Sequence, residues 1–353
     1  MHILNRYLRN MVISATLLVV FIFTGVECFA QILSQLSAVG SDQYTVSKML
    51  LYVVMGLPAI IYMAFPITAF IGCLIGLGRL ASGGELTVMR ANGISVGQIT
   101  WSVVKAALIM LVFVTAIGEG VAPWLQRNAE IIRATALNRP NPFVSDQRIW
   151  LHHDNAYIYI GNATSANKIA NINEFFFNGK QLSKLLFAKT AERIGQRWQM
   201  HDVSTTLLTG HQTRVSHRAS AWLNLSISPN KLHKFQNMSL GGSVVALWYM
   251  IKARESVGLI STIFKLTFWQ RVIQPLTTLV MICLGLPFVF GSLRSVGVMV
   301  RLVTGISVGI VFYMLNRFFG PITLIYQFPP ILAALCPTVL FLAIYAYMIR
   351  RIS

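Results

Sequence analysis

Long apolar runs alternate along the chain with short polar breaks that carry arginine. The runs extend from Met11 to Ala38, Met49 to Leu77, Ile99 to Ala122, Phe268 to Phe290, Val298 to Phe319 and Ile331 to Met348. A hydrocarbon core of about 30 Å takes a helix of roughly 20 apolar residues, and each run reaches or approaches that length. The pattern predicts a membrane α-helical bundle of six transmembrane helices, three on each side of a different kind of segment.

From Ala122 to Phe268 the continuous runs give way to short segments of β-branched and aromatic residues separated by turn residues. Ile149 to Leu151 and Tyr157 to Ile160 flank His152-His153-Asp154-Asn155, a hairpin pattern. Phe175 to Phe177 lead into Asn178-Gly179, a strong hairpin signal, and Leu185 to Thr190 supply the returning strand. Further strands are expected at Arg197 to His201, Ser204 to Leu208, Thr213 to His217 and Ser220 to Ser226. The expected insert is an all-β, jelly-roll-like domain with a helical entry near Pro123 to Leu137 and a helical exit near Val244 to Phe264. Three regions follow: transmembrane helices 1–3 in 1–122, the β domain in 123–265, and transmembrane helices 4–6 in 266–353.

Composition agrees with the span count, since 55% of the 353 residues are hydrophobic and only 11% charged, against roughly a quarter charged in soluble domains. The net charge of +18 raises nucleic acid as a partner, but no helix-turn-helix, RNP or zinc-finger pattern accompanies it. Its distribution sets orientation instead. Arg6, Arg9, Arg79, Arg90, Arg294, Arg301, Arg350 and Arg351 all fall on one side if every run crosses, whereas Asp42 and Lys48 are the few charges opposite. By the positive-inside rule that side is cytoplasmic, both termini lie there, and the β domain is periplasmic. The four cysteines, Cys28, Cys73, Cys283 and Cys336, lie inside apolar runs and read as small hydrophobes.

Candidate chemistry is sparse. His152-His153-Asp154 sits in an expected turn, none of the seven histidines makes a metal motif, and no nucleophile, base and acid spacing points to catalytic residues. Leu80 to Leu86 superficially resembles an ABC-ATPase signature, yet no phosphate-binding loop occurs anywhere in the chain. Ser82-x-x-Glu85 fits a capping box that opens a short cytoplasmic helix ending near Gly93. Such a helix between two spans is a surface for a partner to push. Glu27 and Glu119 are ionisable groups within apolar runs, which makes them functional hypotheses by default. Glu119 falls near the outer end of its span and is assigned a structural role; Glu27 lies deeper and needs a partner or a cavity. Pro58, Pro66, Pro275, Pro287 and Pro337 predict kinks whose freed carbonyls neighbouring helices must satisfy.

Several of these segments together resemble one family. Leu4-Asn5-Arg6-Tyr7, Leu74 to Gly78, Glu85 to Gly93, Ala116 to Pro123, Phe290 to Val296, Arg301 to Ser307, Phe319-Gly320-Pro321 and Phe328-Pro329-Pro330 are similar, nearly end to end, to the LptF/LptG permeases of lipopolysaccharide-export ABC transporters. The segments at Arg294 and at Arg301 to Ser307 favour the LptG type over the LptF type. The resemblance implies an inner-membrane permease that extracts lipopolysaccharide and passes it to a periplasmic bridge. Its implied partners are an LptF-type permease, an LptB-type ATPase dimer and LptC/LptA-type bridge proteins. ATP would be bound by the partner, so this chain itself has no cofactor and is not an enzyme. The helix at about 80–93 matches the family's coupling helix, which makes Glu85, Leu86, Met89, Arg90, Ala91 and Gly93 the expected ATPase-coupling residues. Where family members carry lysines near the outer end of the first span, this chain has Gln31, Ser37 and Ala38. The lipid-binding set expected here is Gln31, Ser37, Arg133 and Arg317, the two guanidiniums replacing the missing amines as phosphate ligands. The competing class is a membrane-anchored assembly or signalling protein with a periplasmic binding domain.

Overall fold

The structure is a computed structural model describing residues 2–139, 149–153, 156–165, 168–178, 181–195, 197–209, 212–223, 242–255, 261–291, 296–326 and 328–351. Arg294, Gly179, His211 and His233 lie outside the described residues, as do 224–226 at the end of the last expected strand. The chain divides into two compact units, Met1–Ala129 with Lys265–Ser353, and Glu130–Phe264.

In the first unit the apolar runs become α1 (His2–Leu36), α2 (Val46–Ser82), α4 (Val96–Ala116), α7 (Thr262–Phe290), α8 (Val298–Ile325) and α9 (Pro330–Arg350), with α3 (Glu85–Ala91) between α2 and α4. Six helical runs among the described residues are long and apolar enough to cross a membrane. The third is longer than its apolar pattern: α4, a π-helical turn (Ile117–Val121) and α5 (Ala122–Ala136) make one run of 41 residues. The π turn has a local cause. Pro123 has no amide to close the helical ladder, and the Ala122 amide reaches five residues back to the Ile117 carbonyl.

α2 and α7 form the centre of the bundle, with 67% and 61% of their apolar windows buried, against 17% for α1 and 22% for α8. The two outer helices therefore present most of their apolar surface to lipid or to another subunit. Close contact at the centre uses glycine. A Cβ on Gly72 would collide with the Thr16 backbone, and one on Gly78 would lie 2.5 Å from Cδ of Arg301. Arg301, which the charge pattern places at a membrane surface, is 1% exposed.

The second unit contains α5's end, α6 (Val244–Glu255) and six strands: β1 (Ile149–His153), β2 (Ala156–Ser165), β3 (Lys168–Asn178), β4 (Gln181–Ile194), β5 (Arg197–Thr209) and β6 (Gln212–Leu223). The expected all-β insert is present. Its described strands form one antiparallel sheet in the order β1-β2-β3-β4-β5-β6, a meander without the crossovers of a jelly-roll. Very short connections between successive strands dictate this order. The four short strands expected between Arg197 and Ser226 are two long ones, β5 and β6.

What broke β5 in the hydrophobic pattern is a crease across the sheet. Buried positions lie three residues apart, at Ile169 and Ile172, Ala188 and Ala191, and Met200 and Val203, where a regular strand would alternate with period two. Pairing stays in register on both sides, so Gly161, Asn171, Lys189, Asp202 and Ala219 fall on one transverse row. Asn171 and Asp202 adopt left-handed φ values of 53° and 56°, which Asn and Asp tolerate better than most residues. β3, β4 and β5 thus each spend one residue on the row and return their apolar side chains to the same buried face.

Candidate functional site

α3 opens at Gly84, whose φ of 76° turns the chain out of α2. Ser82 does not cap it: Ser82 belongs to the last turn of α2, and its hydroxyl donates to the Gly78 and Arg79 carbonyls. The capping box in this region stands one helix later, where Ser95 and Gln98 bond each other's backbone amides at the start of α4. Glu85 is therefore free of a capping role. Its carboxylate instead accepts a 3.0 Å hydrogen bond from the Tyr7 hydroxyl of α1.

The six expected coupling residues divide by face. Leu86 is 3% exposed and joins the bundle core, with Met89 packed against that core. These two hold the helix down. Glu85, Thr87, Arg90, Ala91 and Gly93 are exposed, and so is Val88, an apolar side chain 60% open that the sequence reading passes over. Leu86, Thr87, Arg90 and Ala91 line an open pocket of about 390 Å³ with Ala81, Val289 and Phe290. One short helix thus offers an acidic, an apolar and a basic group side by side, next to a recess.

At the other end of the bundle Glu119 has partners. Tyr62 donates to Glu119 Oε1 at 3.1 Å, and Arg271 Nη1 lies 3.5 Å from the same oxygen. The Gln274 amide donates to the Tyr62 carbonyl at 2.6 Å, the carbonyl that Pro66, lacking an N–H, leaves without a helical bond. α2, the π turn and α7 are joined by this cluster, which gives Glu119 its structural role. Tyr62, Arg271 and Gln274 were not singled out in the sequence. The available signal was that a carboxylate in an apolar span requires a cation nearby, and Arg271 is such a cation, near the start of α7.

Glu27 has no hydrogen-bond or ion-pair partner among the described residues and stays part-exposed on α1. Gln31, one helical turn further on, sits beside Gly56 of α2, whose Cβ would lie 3.8 Å from Gln31 Oε1. Ser37 is exposed just past the end of α1. Arg317 is exposed on α8 and donates to the Tyr313 phenol at 2.8 Å; no hydrogen bond among the described residues joins it to Gln31 or Ser37. Arg133 belongs to the other unit and is half-buried on α5. No group of three His, Cys, Asp or Glu side chains among the described residues is placed to hold a metal ion. His217 bonds Ser204 on the sheet at 2.8 Å.

Six apolar helices of spanning length among the described residues, interrupted in mid-chain by an antiparallel sheet and carrying a short helix between the second and third, define a multi-pass membrane protein. The chain belongs to the LptF/LptG family of lipopolysaccharide export system permeases, whose family model matches residues 6–351. It is 32% identical to the lipopolysaccharide export system permease protein LptG of Escherichia coli K12 over 99% of both chains. It is 30% identical to LptG of Haemophilus influenzae over 99% of this chain and 98% of that one. LptF of Escherichia coli is 30% identical over only 39% of this chain and 38% of its own.

Proposed function

We propose that the chain is the LptG-type permease subunit of an ABC transporter that extracts lipopolysaccharide from the inner membrane and hands it to a periplasmic bridge. The observation that carries this reading is the match to LptG proteins from end to end, spans and sheet included, where LptF matches a minor part. An LptF-type permease would cover the apolar faces that α1 and α8 leave open, an LptB-type ATPase dimer would bind and hydrolyse ATP, and LptC/LptA-type proteins would continue the path. Orientation follows the arginines: both termini and α3 face the cytoplasm and the sheet faces the periplasm. A cysteine at Asn178, the exposed end of β3, is then expected to react with an impermeant maleimide in cells whose inner membrane is intact. Labelling only after that membrane is opened would reverse the orientation.

The ATPase face of α3 consists in this reading of Glu85, Val88, Arg90, Ala91 and Gly93, with Leu86 and Met89 as its anchors. Val88→Asp places a charge where an apolar contact is desolvated, and Glu85→Gln removes a charge-assisted bond worth about twice a neutral one. The expected result is loss of the co-purifying ATPase for Val88→Asp. For Glu85→Gln it is retention of the ATPase with at least fivefold less lipid released per ATP. Wild-type behaviour of both variants would move the docking surface elsewhere.

The lipid site is proposed at Gln31, Ser37 and Arg317, the members of the expected set that lie in the first unit, and a phosphate contact by Arg133 is proposed separately on the second. Arg317 supports it best, because its guanidinium stays charged in a partly dry cavity and binds phosphate oxygens in a fork. Photo-crosslinkers at Gln31 and Arg317 are expected to capture lipopolysaccharide in membranes. Capture no greater than at Leu340, exposed on α9, would assign Arg317 to headgroup contact alone.

A further inference from the structure

α1 is gripped at its start by two side-chain bonds. Tyr7 donates to Glu85 on α3 at 3.0 Å, and Asn5 Oδ1 accepts from the Ser102 hydroxyl on α4 at 2.8 Å. α3 and the start of α4 are separated by only a short turn, so a displacement of α3 reaches α1 through both neighbours. Further along, α1 touches α2 most closely at Gly72, where no side-chain atom fits against the Thr16 backbone. Beyond Thr16 one face of α1 opens outward, Leu17 at 60%, Phe21 at 77% and Phe29 at 63% exposed, while Val19 and Val20 stay packed against the core.

We infer that Tyr7 is the positioning residue that transmits movement of α3 to α1, and that α1 tilts about its contact between Thr16 and Gly72. At 1.5 Å per residue the arm from Tyr7 to Thr16 is about 14 Å and that from Thr16 to Gln31 about 23 Å, so a shift at Tyr7 is enlarged roughly 1.7-fold at Gln31. A straight helix transmits such a tilt because its backbone hydrogen bonds are all internal, and the open outer half of α1 has less packing to resist it. The hydroxyl of Tyr7 is chemically suited to the contact. It holds the carboxylate by one directional bond, leaving the second oxygen of Glu85 for a partner, whereas a basic residue in its place would neutralise the charge. The inference rests on α3 being the ATPase-coupling helix.

The test uses the complete reconstituted complex and reads lipopolysaccharide released per ATP hydrolysed, a ratio that loss of folded protein does not change. Tyr7→Phe removes the hydroxyl alone and is expected to lower the ratio at least threefold. Glu85→Gln is expected to lower it as much or more, and the double variant no further than Glu85→Gln, because Tyr7 acts through that carboxylate. Tyr7→Phe with the wild-type ratio, while Glu85→Gln is impaired, overturns the inference and leaves the coupling surface standing. The wild-type ratio in Glu85→Gln removes both. Transport and hydrolysis falling together in Tyr7→Phe assigns the tyrosine to stability and overturns the inference, as does a double variant worse than Glu85→Gln by the full effect of Tyr7→Phe.

Discussion

Glu119→Ala is expected to destabilise the protein by up to about 3 kcal/mol, because removing one member of a part-buried ion pair takes a charged partner from the other in a setting of reduced dielectric. Arg271 and Glu119 are 18% and 21% exposed as side chains, so solvent replaces only part of the lost contact. The measurement is the thermal midpoint in detergent, followed by the yield from membranes. Glu119→Gln keeps an acceptor for the Tyr62 hydroxyl and is expected to lose less. The decisive variant is the pair Glu119→Ala with Arg271→Leu. Replacing both charges by apolar groups is often neutral or better, so most of the lost stability should return. A double variant as unstable as the sum of the single ones would show that the two side chains act independently.

Gln274→Leu is expected to cost about 2 kcal/mol, the penalty for leaving a buried carbonyl without its donor. The carbonyl is that of Tyr62, and it needs a donor from another helix only because Pro66 follows four residues later. Pro66→Ala supplies an amide within α2, so in that background the same Gln274→Leu change should cost less than about 1 kcal/mol. Thermal unfolding of the four proteins in the cycle measures the coupling. Equal losses with and without Pro66 would place the role of Gln274 elsewhere.

The span pattern was legible because a bilayer demands one property, apolarity, over a whole helix length, and that property sums along the chain. The hairpin between β3 and β4 was legible for the opposite reason: its marker is two adjacent residues, although Asn178 itself closes β3, paired with Gln181. Features that need two distant segments were not. Tyr7 gives no sign in the sequence that it meets Glu85, and Gln274 is an ordinary polar residue until Pro66 is placed across from it. Ser82 and Glu85 carry the spacing of a capping box, but α2 continues through Ser82 before the chain turns at Gly84, and the box that forms is that of Ser95 and Gln98, one helix later. Of the coupling residues, residue type drew attention to Leu86 and Met89, while burial shows them facing inward and brings Val88 forward. The long strand β5 was cut in two because its apolar period changes at Asp202, a residue on a row that changes the period of β3 and β4 as well.

That shared row limits how the sheet can vary over time. Deleting Lys189 alone would turn every side chain on one side of it to the opposite face, sending Ala191 outward and Glu192 inward. An insertion at Asp202 would do the same to β5 while its neighbours kept their phase. A length change inside one strand is therefore tolerated only if the adjoining strands change too, an event that single insertions or deletions do not produce. The hairpin tips carry no such phase and can lengthen or shorten one at a time. Across descendants of this chain, the sheet should keep the number of residues between its tips and the row, while the connections drift freely.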